Sequence, residues 1–168
     1  SLVDILGEQV ARKAVERNLT VLKASTETIR GAWACLVDVL GEQLAREAAE
    51  QSLGVLRLSA ETIRCAWESL VAILGEQSAR KAVERNPKVL STSAATIRGA
   101  WGSLVDILGD QAARKVVEQS PLVLVSSPET KKAAWASFVD ILGEQVARKV
   151  VERNRAVLGV SAEIIRGA

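Results

Sequence analysis

The sequence lacks most of the side chains that carry enzyme chemistry. It has no His, Tyr or Met, and it contains neither a GxxxxGKS/T phosphate loop nor a GxSxG nucleophile elbow. General acid–base and nucleophilic catalysis therefore have few groups to use. Two cysteines without any histidine do not make up the ligand set of a structural zinc site. We predict a protein without catalytic activity, metal or cofactor.

Long apolar runs are also missing. No stretch approaches the roughly 20 apolar residues of a membrane span, and no basic segment followed by an apolar one resembles a targeting leader. We expect neither a membrane partner nor a small-molecule substrate. Because the chain has no Met and begins and ends inside a repeat unit, we expect it to be a segment of a longer protein. The net charge is only +2, so the placement of charges must indicate any partner.

What the sequence does contain is one unit written five times at a period of 34 residues. The run LVDILGEQVARKAVERN at 2–18 recurs with few changes in every unit. Such a period is typical of a solenoid, in which each unit buries an apolar face only by stacking on its neighbours. We predict a single domain over 1–168, with repeats at 1–34, 35–68, 69–102, 103–136 and 137–168.

Each unit is predicted to contain two helices and a tight turn. Apolar residues at Ile97, Trp101, Leu104 and Leu108 form one helical stripe, so a long helix is expected over 26–40 and its copies, after an N-cap serine. A Gly at 7, 41, 75, 109 and 143 then ends this helix. A short helix over 8–17 and its copies follows, and a single 3₁₀ turn links the units. The fold class is all-α, a superhelical solenoid of either hand.

Cys and Trp are both expected to serve packing. Cys35 and Cys65 stand where other units have small residues, so they are predicted to be buried or half-buried thiols and not a disulfide. The four Trp residues lie on the apolar stripe of the long helix. They are expected to pack in the core and not to stack on bases, which a single-strand binder would require. Their positions are Trp33, Trp67, Trp101 and Trp135.

One spaced motif, L-x3-LG-x9-R-x-P-x-VL-x2-S-x-E-T-I, resembles the repeat of the mitochondrial transcription termination factor (mTERF) family. Its Pro occurs here only as Pro87 and Pro121, and the resemblance covers the whole chain. It implies units of two α-helices and a 3₁₀ turn, stacked into a curved superhelix with a basic concave side. It further implies binding of double-stranded DNA or RNA, in a mitochondrion or plastid. In the third unit the motif runs through Leu70, Leu74, Gly75, Arg85, Pro87, Val89, Leu90, Ser93 and Ile97.

Cations recur at fixed places in the unit. Arg12 and its copies Arg46, Arg80, Arg114 and Arg148 have acids four residues away, so pairs within one helix explain this row without a ligand. Other cations stand four residues from a like charge, which costs a few tenths of a kcal/mol (roughly 0.2–0.5) unless an anion such as phosphate compensates. Our candidate nucleic-acid contacts are Lys13, Arg17, Arg30, Arg64, Lys81, Arg85, Arg98, Lys115, Lys132, Lys149, Arg153 and Arg166.

Two functions fit these patterns. The first is a non-catalytic nucleic-acid-binding protein of an organelle, which holds RNA or double-stranded DNA along a basic face. The second is a structural scaffold or protein-binding subunit of a large ribonucleoprotein or other organellar complex, in which the charges are only solvated. The two differ in geometry. If the like-charged pairs and the Arg30 row share one face, nucleic-acid binding is favoured; if they are dispersed, the scaffold is favoured.

Overall fold

The computed structural model describes residues 24–154, together with Val3, Gly7, Ala11 and Leu158. In this part of the chain all regular structure is helical and there is no strand. None of its helices combines the length and the apolar character that crossing a membrane requires. The α-helices are α1 (Thr26–Leu40), α2 (Glu42–Gln51), α3 (Ala60–Leu74), α4 (Glu76–Arg85), α5 (Ala94–Leu108), α6 (Asp110–Gln119), α7 (Pro128–Leu142) and α8 (Glu144–Arg153), and the 3₁₀ helices are η1 (Leu53–Arg57), η2 (Pro87–Ser91) and η3 (Pro121–Leu124).

The long helices begin where the sequence places their caps. Ser59 has an extended backbone, and its Oγ accepts a hydrogen bond of 3.1 Å from the backbone N–H of Thr62. This bond satisfies one of the free N–H groups at the start of α3. The predicted bounds of the long helix, 26–40, and of its copies are confirmed. The predicted short helices at 42–51, 76–85, 110–119 and 144–153 are confirmed as well.

A single Gly joins each long helix to the short helix that follows it. Gly75 has φ 80° and ψ 160°, a region that is almost restricted to glycine. Its N–H donates to Val71 O at 2.8 Å, and its own carbonyl accepts from Ala79 N at 3.0 Å. Gly75 therefore ends α3 and starts α4 without any further linking residue. Gly41, Gly109 and Gly143 have the same geometry.

Elements of one kind pack on the next elements of the same kind. The long helices contact each other in the order α1, α3, α5, α7, and the short helices in the order α2, α4, α6. The 3₁₀ helices η1, η2 and η3 also follow one another, and every long helix packs on its own short helix. The core lies between these rows. It is filled by side chains without solvent exposure, such as Leu36, Ile63, Leu70, Ile97 and Leu104.

Successive long helices are staggered along their axes. The Cys35 thiol, in the second half of α1, donates to the carbonyl of Ala60 at the start of α3, at 3.3 Å. Further along, a Cβ placed on Gly99 of α5 would lie 2.7 Å from Cγ of Pro128, the first residue of α7. Gly99 therefore leaves the space that the proline ring fills. The start of each of these helices lies beside an inner segment of the helix before it.

The predicted roles of Trp and Cys are borne out for the most part. Trp67 is buried, and Trp33, Trp101 and Trp135 are half-buried against the core. Cys35 is buried as predicted, but the prediction for Cys65 is wrong because its side chain is exposed. Cys65 lies on the outward side of α3, where the small residues of other units reflect little contact and not close packing.

Two buried serines provide a test of the core. Ser69 Oγ and Ser137 Oγ are buried and have no hydrogen-bond partner, which costs about 1–3 kcal/mol per hydroxyl. Replacing Ser69 by Ala is therefore expected to raise the free energy of unfolding by about 1 kcal/mol, measured by denaturant titration. The matched control is Ser59→Ala, which removes an N-cap and should lower the same quantity by about 1 kcal/mol. Destabilisation by Ser69→Ala would show that this hydroxyl has a partner.

Candidate functional site

The arginine row of the short helices is neutralised within each helix. Arg46, Arg80, Arg114 and Arg148 each pair with the acid four residues earlier, at 3.0–3.1 Å. The prediction that intrahelical pairs explain this row is confirmed for these four residues. Arg12, the first member of the row, lies outside the described residues. These arginines have their anion already, so they are poor candidates for contacts with phosphate.

Arg80 also connects successive units. Its Nη1 donates to the carbonyl of Leu40 at 2.6 Å, and its guanidinium carbon lies 5.9 Å from the centroid of the Trp67 ring. Leu40 is the last residue of α1, where carbonyls lack partners within the helix and the helix dipole is negative. Arg114 has the same position over the Trp101 ring, at 5.7 Å. The arginine row thus serves packing between units.

The second row of cations lies on the outward side of the long helices. Arg30, Arg64, Arg98 and Lys132 are all exposed. Arg64 Nη2 lies 3.5 Å from Oδ2 of Asp38, which belongs to the preceding long helix. Ala72 takes the place of that Asp in the next unit, and Arg98 has no ion pair among the described residues. One member of this row is therefore engaged in a contact between units, and its successor is not.

The third group of cations lies on the outward side of the short helices. Lys81, Arg85, Lys115, Lys149 and Arg153 are exposed and form no ion pair within the described part of the chain. Lys81 and Arg85 stand four residues apart on α4, and Lys149 and Arg153 do so on α8. Both pairs therefore bring like charges onto one helix face.

The structure does not bring these two rows together. Helix α3 buries Ile63, Ala66 and Leu70, and α4 buries Ala79, Ala82 and Val83, and the two helices pack on each other. Because both helices direct their buried stripes into this core, their exposed sides lie on opposite sides of it. Arg64 and Lys81 consequently face away from each other. The candidate residues Lys13, Arg17 and Arg166 lie outside the described residues.

Charge varies along the row of short helices. Helix α2 carries Glu42, Glu47 and Glu50 against one cation, Arg46. In α4 and α8 the cations outnumber the acids, because each has an Arg, a Lys and a terminal Arg. Lys88 in η2 is also exposed and extends the basic surface beyond α4. The basic part of this side therefore begins after α2, whose acidic surface would repel a polyanion.

A buried lysine was missed at the sequence level. Lys131 has no exposed surface, and its Nζ donates to the carbonyl and to Oγ of Ser126 at 2.5 and 2.7 Å. Burial lowers the pKa of this ammonium group from 10.5 to about 8. The sequence signal exists, because Lys131 stands in a column that is otherwise isoleucine at 29, 63, 97 and 165. It belongs to the core and not to the exposed row of its neighbour Lys132.

Two further findings bear on function. Within the described residues, no group of three or more His, Cys, Asp or Glu side chains is placed to hold a metal ion. No protein-family model matches the sequence, and no curated protein is significantly similar to it.

Proposed function

We propose that this chain is a superhelical solenoid of five 34-residue repeats, similar to the mTERF family, which binds nucleic acid without catalysing a reaction. The order of long helix, short helix and 3₁₀ turn supports the solenoid, because the long helices start at Thr26, Ala60, Ala94 and Pro128, 34 residues apart. Contacts between successive elements of one kind support it as well. In such an array, a surface residue of one unit has equivalents in the next.

The outward side of the short helices is the proposed nucleic-acid surface. The observation that carries this proposal is the pair Lys81 and Arg85, two exposed like charges four residues apart without an acidic partner in the described part of the chain. Lys115, Lys149 and Arg153 repeat the arrangement on later helices. Phosphate oxygens would relieve the repulsion between such cations and accept their hydrogen bonds. Base identity plays no part in contacts of this kind.

The ligand proposed is RNA or double-stranded DNA, and the compartment is a mitochondrion or plastid, as the mTERF resemblance implies. Arg30, Arg64, Arg98 and Lys132 are left out of this surface, because they lie on the opposite side of the core. Arg64 is moreover paired with Asp38.

Binding of the chain to single-stranded RNA and to duplex DNA, titrated over salt concentration, tests this proposal. For the ligand that binds, log K should fall linearly with log salt, with a slope of about −0.7 per phosphate contact for a single strand and −0.9 for a duplex. The double variant Lys81→Ala/Arg85→Ala should reduce this slope by about two contacts. Its matched control, Arg64→Ala/Arg98→Ala, removes the same charge from the other side and should leave the slope unchanged. Equal losses in both variants would contradict the assigned surface.

A scaffold or protein-binding subunit of a large ribonucleoprotein or other organellar complex is the second candidate. It is favoured by the separation of the two cation rows onto opposite sides and by the acidic surface of α2. On this hypothesis the exposed charges are solvated and carry no phosphate. Absence of binding to either nucleic acid at low salt would support the scaffold and exclude the electrostatic surface.

A further inference from the structure

An apolar patch is exposed at the junction of the last long and short helices. Ile141, Leu142 and Val146 have 55%, 40% and 49% of their surface exposed; we call them the terminal patch. The same three positions in earlier units are never exposed. Leu40, the equivalent of Leu142, retains only 2%. The equivalent residues are Val39, Leu40 and Leu44; Ile73, Leu74 and Ser78; and Ile107, Leu108 and Ala112.

The following short helix covers these positions in the earlier units. Arg80 of α4 reaches over the end of α1 and donates to Leu40 O at 2.6 Å. Ser78 Oγ, at the position of Val146, donates to Glu118 of α6 at 2.8 Å. At the period of 34, the short helix after α8 would occupy 178–187, numbers that this 168-residue chain does not contain. The terminal patch therefore has the shape of a unit interface without the short helix that covers the others.

The opposite end of the same chain carries a sequence that matches the missing helix. Residues 8–18 read EQVARKAVERN and agree with 76–86, which are α4 and its C-cap, at 10 of 11 positions. Arg12 stands at the position of Arg80. The preceding junction has the geometry of the other units, since Gly7 has φ 78° and its carbonyl accepts from Ala11 N at 3.0 Å. Arg80 contacts a residue 40 positions earlier, and no residue of this chain lies 40 positions before Arg12.

We propose that two copies of this chain associate head to tail, with segment 8–18 of one copy covering the terminal patch of the other. Arg12 of the second copy then donates to the carbonyl of Leu142, as Arg80 does to that of Leu40. Charge supports the same register. Gln51 donates to Glu84 O at 3.2 Å across two successive short helices, and the equivalent pair across the two copies is Arg153 and Glu16, which have opposite charges.

The two contacting surfaces differ from each other, so the association is heterologous and can extend beyond a dimer. Each added copy continues the stacking of one unit on the next. The proposal rests on the contacts between successive units and does not require nucleic-acid binding. Its failure would leave the salt-titration experiment above unaffected.

Sedimentation velocity over a range of protein concentrations tests the proposal. The wild-type chain should form species that grow in steps of one 18.0 kDa chain. Leu142→Glu, which places a charge in the terminal patch, should abolish all species above the monomer, and so should Arg12→Glu. A mixture of the two variants should form a dimer and nothing larger, because each retains one intact surface. This restored dimer also shows that both variants are folded.

The matched control is Leu122→Glu, which charges an exposed leucine of η3 away from the patch and should associate like the wild type. Three outcomes would overturn the proposal. The wild type would remain monomeric at all concentrations, or the mixed variants would fail to dimerise. Alternatively, Arg12→Glu alone would still associate, which would mean that two terminal patches bind each other.

Discussion

Replacing Lys131 by Ile is expected to raise the free energy of unfolding by about 2–4 kcal/mol at neutral pH. The ammonium group lies in the core with no exposed surface and is held only by the carbonyl and hydroxyl of Ser126. Isoleucine fills the same position in the three preceding long helices, where Ile29, Ile63 and Ile97 are buried. The substitution therefore restores an arrangement that this fold already accommodates. Denaturant titration at pH 7 measures the gain.

The same lysine gives stability a distinct pH dependence. In the folded chain its pKa is lowered to about 8, whereas 10.5 is the value of an exposed lysine. Below pH 8 both states bind the proton, and the folded state carries a charge in its core. Between pH 8 and 10.5 only the unfolded state binds it, so stability rises with pH. The rise amounts to about 3 kcal/mol, at 1.36 kcal/mol for each pH unit, and Lys131→Ile should abolish it.

Two controls isolate this effect. Burial raises the pKa of the Cys35 thiol, so the folded chain holds that proton more strongly and loses stability as pH rises above 9. Because Cys35 is present in both proteins, its contribution cancels when the curve of the variant is subtracted from that of the wild type. Lys132→Ala, at the exposed neighbouring position, should change stability by less than about 0.5 kcal/mol. Parallel curves for the wild type and Lys131→Ile would mean that the ammonium group is hydrated in the folded state.

The second large effect is expected at the glycine junctions. Gly109 has φ 83° and ψ 161°, and an L-residue in this region costs on the order of 1–3 kcal/mol. A Cβ at Gly109 would meet no atom within 4 Å, so the cost arises from the backbone alone. Gly109→Ala should therefore lower the free energy of unfolding by this amount, measured by thermal or denaturant unfolding.

Gly102 is the matched control for this substitution. It lies inside α5, and a Cβ there also meets nothing within 4 Å. Gly102→Ala should stabilise the chain by about 0.5–1 kcal/mol, because alanine loses less conformational freedom in a helix. A D-alanine at position 109, introduced by semisynthesis, should be tolerated, since positive φ is ordinary for a D-residue. Equal destabilisation by D- and L-alanine would assign the cost to contacts and not to the backbone.

The helix bounds could be predicted from sequence because their signals are local. Ser59 caps α3 through a bond to a residue three positions away, and Gly75 ends it through its own backbone. The pairing of Arg80 with Glu76 is also local, within one helix turn. Each signal occurs in several units, so a weak indication in one unit is supported by the others.

What could not be predicted depends on contacts between units. The pair of Arg64 and Asp38 joins residues 26 positions apart, and it forms because successive long helices are staggered. The separation of Arg64 from Lys81 likewise depends on how α3 packs on α4. The segment around Lys131 reads as a polar helix start, ETKKAAW, and its burial follows only from comparison with the isoleucine column. The candidate cations were therefore recognised as exposed residues, but their division between two sides was not.

The junction at Gly75 also limits how the length of this protein can change. An α-helix turns by about 100° per residue, and a single glycine separates α3 from α4. One residue inserted between this glycine and Ala79 would rotate the rest of α4 and bring Lys81 in place of Ala82 against the core. One residue deleted there would do the same in the other direction. Gain or loss of a whole 34-residue unit leaves every such rotation unchanged, so the array is expected to change length by whole-unit duplication and deletion.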